Sequence, residues 1–229
     1  MKLTQTHIEE LYKFTRKHFV EHYDVQTELV DHLANDIEQI WIENPSLSFE
    51  EARDKSFKKF GIFGFMEVVE AKQKQLGKKY RVILWRFMKE WFSIPKIILT
   101  LSILFFFYFL MSLNIEKSYL SSFMLILAII DIVLASIISK KAKQRFKEKK
   151  RKYLLEDMIF RVGAFSSIIV FSNLFNLSSF LRSSNSVYFK TFVAALITLA
   201  IIYSYISLIV IPQKADELLE ETYPEYKIS

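Results

Sequence analysis

Residues 119–152 read YLSSFMLILAIIDIVLASIISKKAKQRFKEKKRK, and this stretch decides the architecture. Its first 21 residues, Tyr119 to Ser139, carry a single charge, Asp131. An α-helix rises ~1.5 Å per residue, so a run of this length crosses a hydrocarbon core of ~30 Å. The next residues, 140–152, include nine Lys or Arg and one Glu. Loops this basic stay on the cytoplasmic side of a bilayer. The stretch predicts a membrane helix that ends in the cytoplasm.

Three further apolar runs flank it. Pro95, after Ser93, suits the first turn of a helix. Ile97 to Leu113 has no charge, and Lys96 can snorkel to the interface. A third span is expected over 158–181, with Arg161 near its start, and a fourth over 190–211, closed by Pro212. The 114–118 connection has one Lys and one Glu, and the 182–190 connection has Arg182 and Lys190. The charge asymmetry places these two connections outside and both termini in the cytoplasm. The predicted fold class is all-α: a small cytoplasmic helical domain followed by a four-helix transmembrane bundle. Its expected parts are residues 1–77 as the cytoplasmic domain, 78–92 as an interfacial amphipathic helix, four spans at about 93–113, 119–139, 158–181 and 190–211, and 213–229 as a cytoplasmic acidic tail. The opening residues MKLTQTHIEELYKFTRKHFV show no apolar signal-peptide core. The expected location is the bacterial inner membrane, multi-pass.

Composition agrees with segregated apolar and charged segments. Hydrophobic residues make up 52% of the chain and charged residues 24%, with only four Gly and four Pro. Few turns and long helices follow. The chain has no Cys, which excludes disulfides, thiolate metal sites and thiol catalysis. The net charge of +6 is the mark of positive-inside loops rather than of nucleic-acid binding.

The first third is amphipathic. Ile8, Leu11, Tyr12, Thr15 and Phe19 form one helical stripe, with Thr6 and Glu9 as a candidate capping box. A second stripe runs through Val25, Leu29, Leu33, Ile37, Ile40 and Trp41, with Asp24 as candidate N-cap, and Asn44-Pro45-Ser46 breaks it. Ser48 and Glu51 make another capping box, Gly61 suits the C-terminal cap, and a fourth helix is expected over about 65–76.

The runs ELVDHLANDIEQ (28–39) and SFEEARDKSFKKFG (48–61) resemble the small helical domains placed before membrane segments in bacteria, the permease-prefix and PadR-associated helical signalling domains. Glu28, Asp31, His32, Glu51, Ala52, Phe60 and Gly61 carry the likeness. It covers about the first 75 residues and implies a regulatory or protein-interaction role. The whole chain is similar to uncharacterised bacterial membrane proteins with such a prefix.

Residues 78–92, KKYRVILWRFMKEWF, interleave basic and aromatic side chains just before an apolar span. Arg81, Trp85, Arg86, Lys89 and Trp91 are the expected contacts with an anionic bilayer surface. Nucleic acid is the rejected rival partner.

Within the spans Asp131 is the sharpest residue, since a carboxylate at membrane depth is costly. Arg161 is its expected partner in an intramembrane charge pair. A solvated Asp131 facing a cavity, or one on a proton or ion path, are the other readings. The third span carries a polar face of Gly163, Ser166, Ser167 and Asn173, with Asn176 on nearly the opposite side. Such a helix is expected to be surrounded by protein, within the bundle or against a second copy. Ala128, Asp131 and Ala135, and then Thr191, Ala194, Ala195, Thr198 and Tyr205, line up as contact faces.

His18, His22 and Asp24, and Glu28, His32 and Asp36, have spacings that tempt a metal reading. Such pairs are commonplace on solvated faces, so no metal or cofactor is expected, and His32 is expected to hydrogen-bond within its domain. The chain has no H-E-x-x-H and no G-x-S-x-G. The expected function is a non-enzymatic membrane adaptor or sensor, with residues 1–77 binding a regulatory or membrane protein partner. The alternative is a small oligomeric transporter or channel subunit that uses Asp131 and the polar third span.

Overall fold

The computed structural model describes residues 2–113, 117–180 and 186–228, with side chains described throughout these except at 117–118, 120, 174–180 and 227–228. Residues 114–116 and 182–185 of the expected outer connections therefore fall outside the described residues, as does the side chain of Asn176, while 117–118 and 187–190 are already helical. Every regular element among the described residues is helical. The chain divides into two compact units: 1–78 with 149–155, and 79–148 with 156–229.

The first unit holds α1 (Gln5–Lys17), α2 (Tyr23–Glu43), α3 (Phe49–Lys58) and the start of α4 (Met66–Trp91). The expected stripes supply its core except at Phe19: Leu11, Val25, Leu29, Leu33 and Ile37 are fully buried, with Ile40 and Trp41 nearly so, whereas Phe19 lies past the end of α1 at φ +65° and is 93% exposed. Full burial of one such side chain stabilises by ~1.5–3 kcal/mol. Two of the expected helix starts shift. α1 begins two residues before the expected cap, capped by Thr4, whose hydroxyl accepts from His7 N while His7 Nδ1 accepts from Thr4 N. The Thr6–Glu9 box is not used. α2 has His22, not Asp24, at its N-cap. The Ser48–Glu51 box forms as expected, at 3.2 and 2.9 Å. α2 stops at Glu43 before Pro45, and Trp41 Nε1 ties the following turn by donating to Leu47 O at 3.0 Å. Beyond α3, Gly61 takes φ +74° and Gly64 φ +54°. These left-handed turns bring Phe57, Phe60 and Phe65 together, with ring centroids 4.9 Å apart for both Phe57–Phe65 and Phe60–Phe65.

The fourth short helix and the interfacial helix expected from the sequence are one element. α4 runs unbroken for 26 residues, because nothing between Leu76 and Lys79 stops a helix except Gly77, which costs a helix only ~1 kcal/mol.

The second unit holds the rest of α4, α5 (Lys96–Ser112), α6 (Lys117–Glu148), the end of α7 (Leu154–Asp157) leading through a π-helical turn (Met158–Val162) into α8 (Gly163–Phe180), α9 (Val187–Tyr205) with a second π turn (Ile206–Val210) into α10 (Ile211–Gln213), and α11 (Ala215–Thr222). Pro212 lacks an N–H, so the Leu208 carbonyl has no i+4 donor. A wide turn lies just before the proline, with Ile211 N bonding to Ile206 O. α6 packs on α8, and α5 on α9. Phe107, Met111, Met124, Phe171, Val193, Ala194, Ile197 and Ala200 form one apolar cluster, and Ala135, Ala164 and Leu208 a second. Small residues let these helices approach closely, and Ala128 and Ala135 do so as their spacing predicts. On α9 the expected face is rotated: Ala194 and Thr198 are buried, while Thr191 and Tyr205 are exposed.

Two helices among the described residues are long and apolar enough to cross a membrane, Ser121–Glu148 and Val187–Gln213. A third appears if α4 and α5, bent by 88° at 92–95, count as one span. The two differ in surroundings: the apolar window of the first is 17% buried and that of the second 56%. α6 turns Leu125, Ile126, Ile129, Ile130, Ile132 and Val133 outward, a contiguous apolar surface that suits lipid rather than water. α9 is the enclosed helix.

Candidate functional site

Asp131 lies in the middle of α6 and is 3% exposed. Ser167 Oγ of α8 donates to its Oδ2 at 3.1 Å, and Ser204 Oγ of α9 donates to its Oδ1. One carboxylate thus ties three helices. The expected ion pair with Arg161 does not form. Arg161 forms an ion pair with Asp157 one turn back, Nε to Oδ1 at 2.6 Å, with its guanidinium over the Phe146 ring. Ser167 stands six residues after Arg161, ~9 Å along a helix, and it is Ser167 that reaches the depth of Asp131.

The two serines have other contacts. Ser167 Oγ is also 3.0 Å from Ala164 O. A hydroxyl has one proton and two lone pairs. Ser167 can give its proton to a carboxylate, or give it to Ala164 O and accept from a protonated Asp131. The site accommodates both states of the acid with little movement. The same layer contains Tyr203 OH, which donates to Ser166 Oγ at 2.7 Å, and Ser166 Oγ, which donates to Gly163 O at 2.9 Å.

Gly163 has a steric reason to be glycine. A Cβ there would lie 2.8 Å from Tyr80 OH of α4 and 3.0 Å from Ser207 O of the second π turn. The Tyr80 hydroxyl is buried and bonds to no described group. Both helices that supply serines to Asp131 carry a π turn within one or two turns of the bond. Such turns cluster at functional sites because they re-aim side chains and backbone groups.

The expected polar face of the third span is only half of what the structure assembles. Gly163 and Ser167 are buried and Ser166 is half-buried, but Asn173 is exposed and donates to its own helix at Ile169 O, 2.8 Å away. Ten residues at 100° fall 80° short of a whole number of turns, so Asn173 drifts off the face that Gly163 begins.

The expected interfacial residues separate in the same way. Tyr80, Ile83, Phe87 and Trp91 form the inner stripe of α4. Trp91 therefore faces inward, its Nε1 donating to Thr100 Oγ1 at 3.0 Å and its ring 5.3 Å from that of Tyr205. Arg81, Trp85, Arg86 and Lys89 stay on the outer face. Lys89 stacks over Trp85, and Arg86 pairs with Glu221 at 3.3 Å.

The tail is more than a solvated charge run. Ala215, Leu218, Leu219 and Tyr223 are buried. Arg145, from the basic stretch, bonds Glu156, Asp216 and Tyr226 OH. The Glu156 side chain is fully buried, so Arg145 is the counter-charge that lets a carboxylate sit there.

In the first unit the resemblance residues scatter in role. Glu28 pairs with Lys72 of α4 at 2.6 Å, and Glu51 closes its capping box. Asp31 and His32 lie exposed on α2. Among the described residues His32 makes no hydrogen bond, contrary to expectation, because it lies exposed and off the Leu29–Leu33 stripe. His18 instead enters the aromatic cluster, 4.3 Å from Phe57 and 4.5 Å from Phe14. Burial, then the Arg53 charge, lowers its pKa. Among the described residues no three His, Asp or Glu side chains are placed to hold a metal ion.

Sequence reasoning missed one constellation. Residues 149–155 are built into the first unit. Tyr23 N donates to Lys152 O at 2.6 Å, Leu154 N donates to Asp24 Oδ1 at 3.1 Å, and Arg151 lies over the Tyr23 ring. Tyr153 is fully buried, its ring 5.8 Å from that of Tyr23. A sign was present: Tyr153-Leu154-Leu155 is an apolar triplet at the end of a basic loop.

Comparisons with protein-family models, with curated proteins and with solved structures each return no match.

Proposed function

We propose that this chain is a non-enzymatic integral membrane adaptor or sensor, with four spans and both termini in the cytoplasm, whose helical prefix domain binds a regulatory or membrane protein partner. The observation that carries the reading is the place of residues 149–155. They join α6 to α7, yet they complete the prefix domain through Tyr23, Asp24 and Tyr153. The chain passes between the units at 78/79, 148/149 and 155/156. Two bonds, one backbone to backbone and one to the Asp24 side chain, tie α2 to this segment, so a partner on α2 and the segment between α6 and α8 would bias each other by linkage. The exposed Asp31 and His32 offer a polar face of α2 for that partner.

Two measurements test this. Single-Cys labelling in intact cells tests the topology: a Cys at Ser186 should react with an impermeant reagent, and a Cys at Lys150 only after lysis. Affinity purification of the full chain in mild detergent tests the adaptor role: a stoichiometric protein should co-purify and be lost with Asp31→Lys. Absence of any such protein, with proton or ion flux in liposomes of the pure chain, would replace this reading by the second.

That second reading, a small oligomeric transporter or channel subunit, is favoured by one observation. Asp131 is buried against hydroxyls, with no cation beside it among the described residues, an arrangement able to take up and release a proton.

A further inference from the structure

The first unit contains a cleft of about 320 Å³ lined by Arg16, Val20, Glu21, Tyr23, Gln26, Lys150 and Lys152. It lies where the end of α1, the start of α2 and residues 149–155 meet. At ~30 Å³ for each water it has room for roughly ten, more than a simple ion needs. We infer that this cleft is a binding site for a phosphate-bearing anion, held by Arg16, Lys150 and Lys152.

The charges carry the inference. Arg16 has one polar contact, from its Nε to Gln26 Oε1 at 3.5 Å. Among the described residues no carboxylate pairs with Arg16, Lys150 or Lys152. The cations elsewhere that meet acids do so closely: Lys59 with Asp36, Lys72 with Glu28, Arg145 with Glu156 and Asp216. Three unpaired cations around one concavity, against a single Glu21, leave an excess of two positive charges facing each other. A monocarboxylate would neutralise one of them. A phosphate group carries up to two negative charges and three acceptor oxygens, and Arg and Lys are its usual binders. The opposite wall is rigid: Gln26 is 1% exposed, and its Nε2 donates to Val20 O at 2.5 Å. Glu21 can accept from a hydroxyl or amine borne by whatever the phosphate is attached to.

A purely topogenic role for the basic stretch does not account for this placement. Positive-inside charge needs only number and side. Lys140 and Lys143, equally basic, lie outside the cleft and serve as the comparison. The ligand site does not depend on the adaptor reading.

The test uses the full chain in detergent and in nanodiscs. Pyrophosphate binding is measured by calorimetry at matched ionic strength, with chloride as the control anion. Thermal stability is compared in phosphatidylcholine nanodiscs with and without phosphatidylglycerol. Lys150→Gln/Lys152→Gln removes one wall, Arg16→Gln removes the other, and Lys140→Gln/Lys143→Gln removes the same charge outside the cleft. Loss of charge-assisted hydrogen bonds should weaken binding about tenfold or more in the first two variants and leave the third unchanged. Saturable pyrophosphate binding with this pattern identifies a soluble phosphate compound. Stabilisation by phosphatidylglycerol alone, with the same pattern, identifies a lipid headgroup. Equal effects in the two double variants, or no response to either probe, overturn the inference.

Discussion

Leu154 N donates to Asp24 Oδ1 at 3.1 Å, across 130 positions of sequence. The bond makes the segment after α6 a piece of the first unit. A hydrogen bond to a charged acceptor contributes ~1.5–3 kcal/mol. Asp24→Ala should release the segment, and the four trypsin sites at 149–152 report it. Limited tryptic cleavage there should accelerate several-fold in Asp24→Ala, and far less in Asp24→Asn, which keeps an acceptor oxygen. Equal cleavage of all three chains would show that the segment is not held by Asp24.

Arg145 serves three oxygens at once, and one belongs to the fully buried Glu156. Arg145→Met strands that carboxylate. Removing one partner of a buried pair costs ~3–5 kcal/mol; with Arg145 itself partly exposed, the lower end is expected. Asp216 is 60% exposed, so Asp216→Asn should cost little, under ~1 kcal/mol. Thermal unfolding of the detergent-solubilised chain measures both. A double variant, Arg145→Met/Glu156→Leu, should recover most of the loss.

His18 makes the prefix domain acid-sensitive. Its folded-state pKa is lowered, by burial first and by Arg53 second, so the unfolded chain binds the proton more readily. Stability is fully present above the unfolded value of ~6.5 and falls as pH drops through it towards the folded value. Asp36 adds a separate acid limb. Burial pushes its carboxyl up, but the hydrogen bond from Lys59 and the charges of Lys59 and Lys55 outweigh it, and the net shift is down. Its contribution is present above the unfolded value of ~3.9 and is lost only below it. His18→Phe should therefore flatten the dependence between pH 7 and 5 and leave the limb near pH 4. A melting temperature whose pH profile is unchanged in His18→Phe would refute this.

The periodic parts of the structure were legible in the sequence. The stripes of α1 and α2, the Ser48–Glu51 cap and the apolar runs follow from local spacing, which one chain segment can express by itself. Boundaries without a strong stop signal were not: Gly77 does not interrupt α4, and Thr4 outcompetes Thr6 as a cap. Partnerships between distant segments were least legible. Asp131 pointed to itself by its cost in an apolar run, but Arg161 was the only charge in reach of a counting argument. Hydroxyls at Ser167 and Ser204 carry no such flag, and the π turn over Met158–Val162, which contains Arg161, alters the register that counting assumes. Asp24 looked like a cap because caps are local, whereas its bond is to Leu154.

Asp131 itself gives the sharpest test. Its two bonds come from Ser167 and Ser204, and Asn can satisfy both, accepting at Oδ1 and donating from Nδ2 to a hydroxyl lone pair. Asp131→Asn should therefore change thermal stability by no more than ~1 kcal/mol. Asp131→Leu loses both bonds, but Ser167 can fall back on Ala164 O at 3.0 Å, so its cost should be moderate. Because Arg161 is paired with Asp157, Asp131→Asn and Arg161→Gln should act independently. A double-mutant cycle on thermal stability should give a coupling energy near zero, within the ~0.5 kcal/mol typical of separate sites. Coupling of 2 kcal/mol or more would mean that the two charges meet after all. The same Asp131→Asn chain, reconstituted in liposomes, separates the two readings of function. An adaptor keeps its co-purifying partner and shows no flux with either residue. A transporter shows flux in the wild type, and Asp131→Asn abolishes it without loss of stability, because a neutral amide keeps the helices tied but cannot give up a proton.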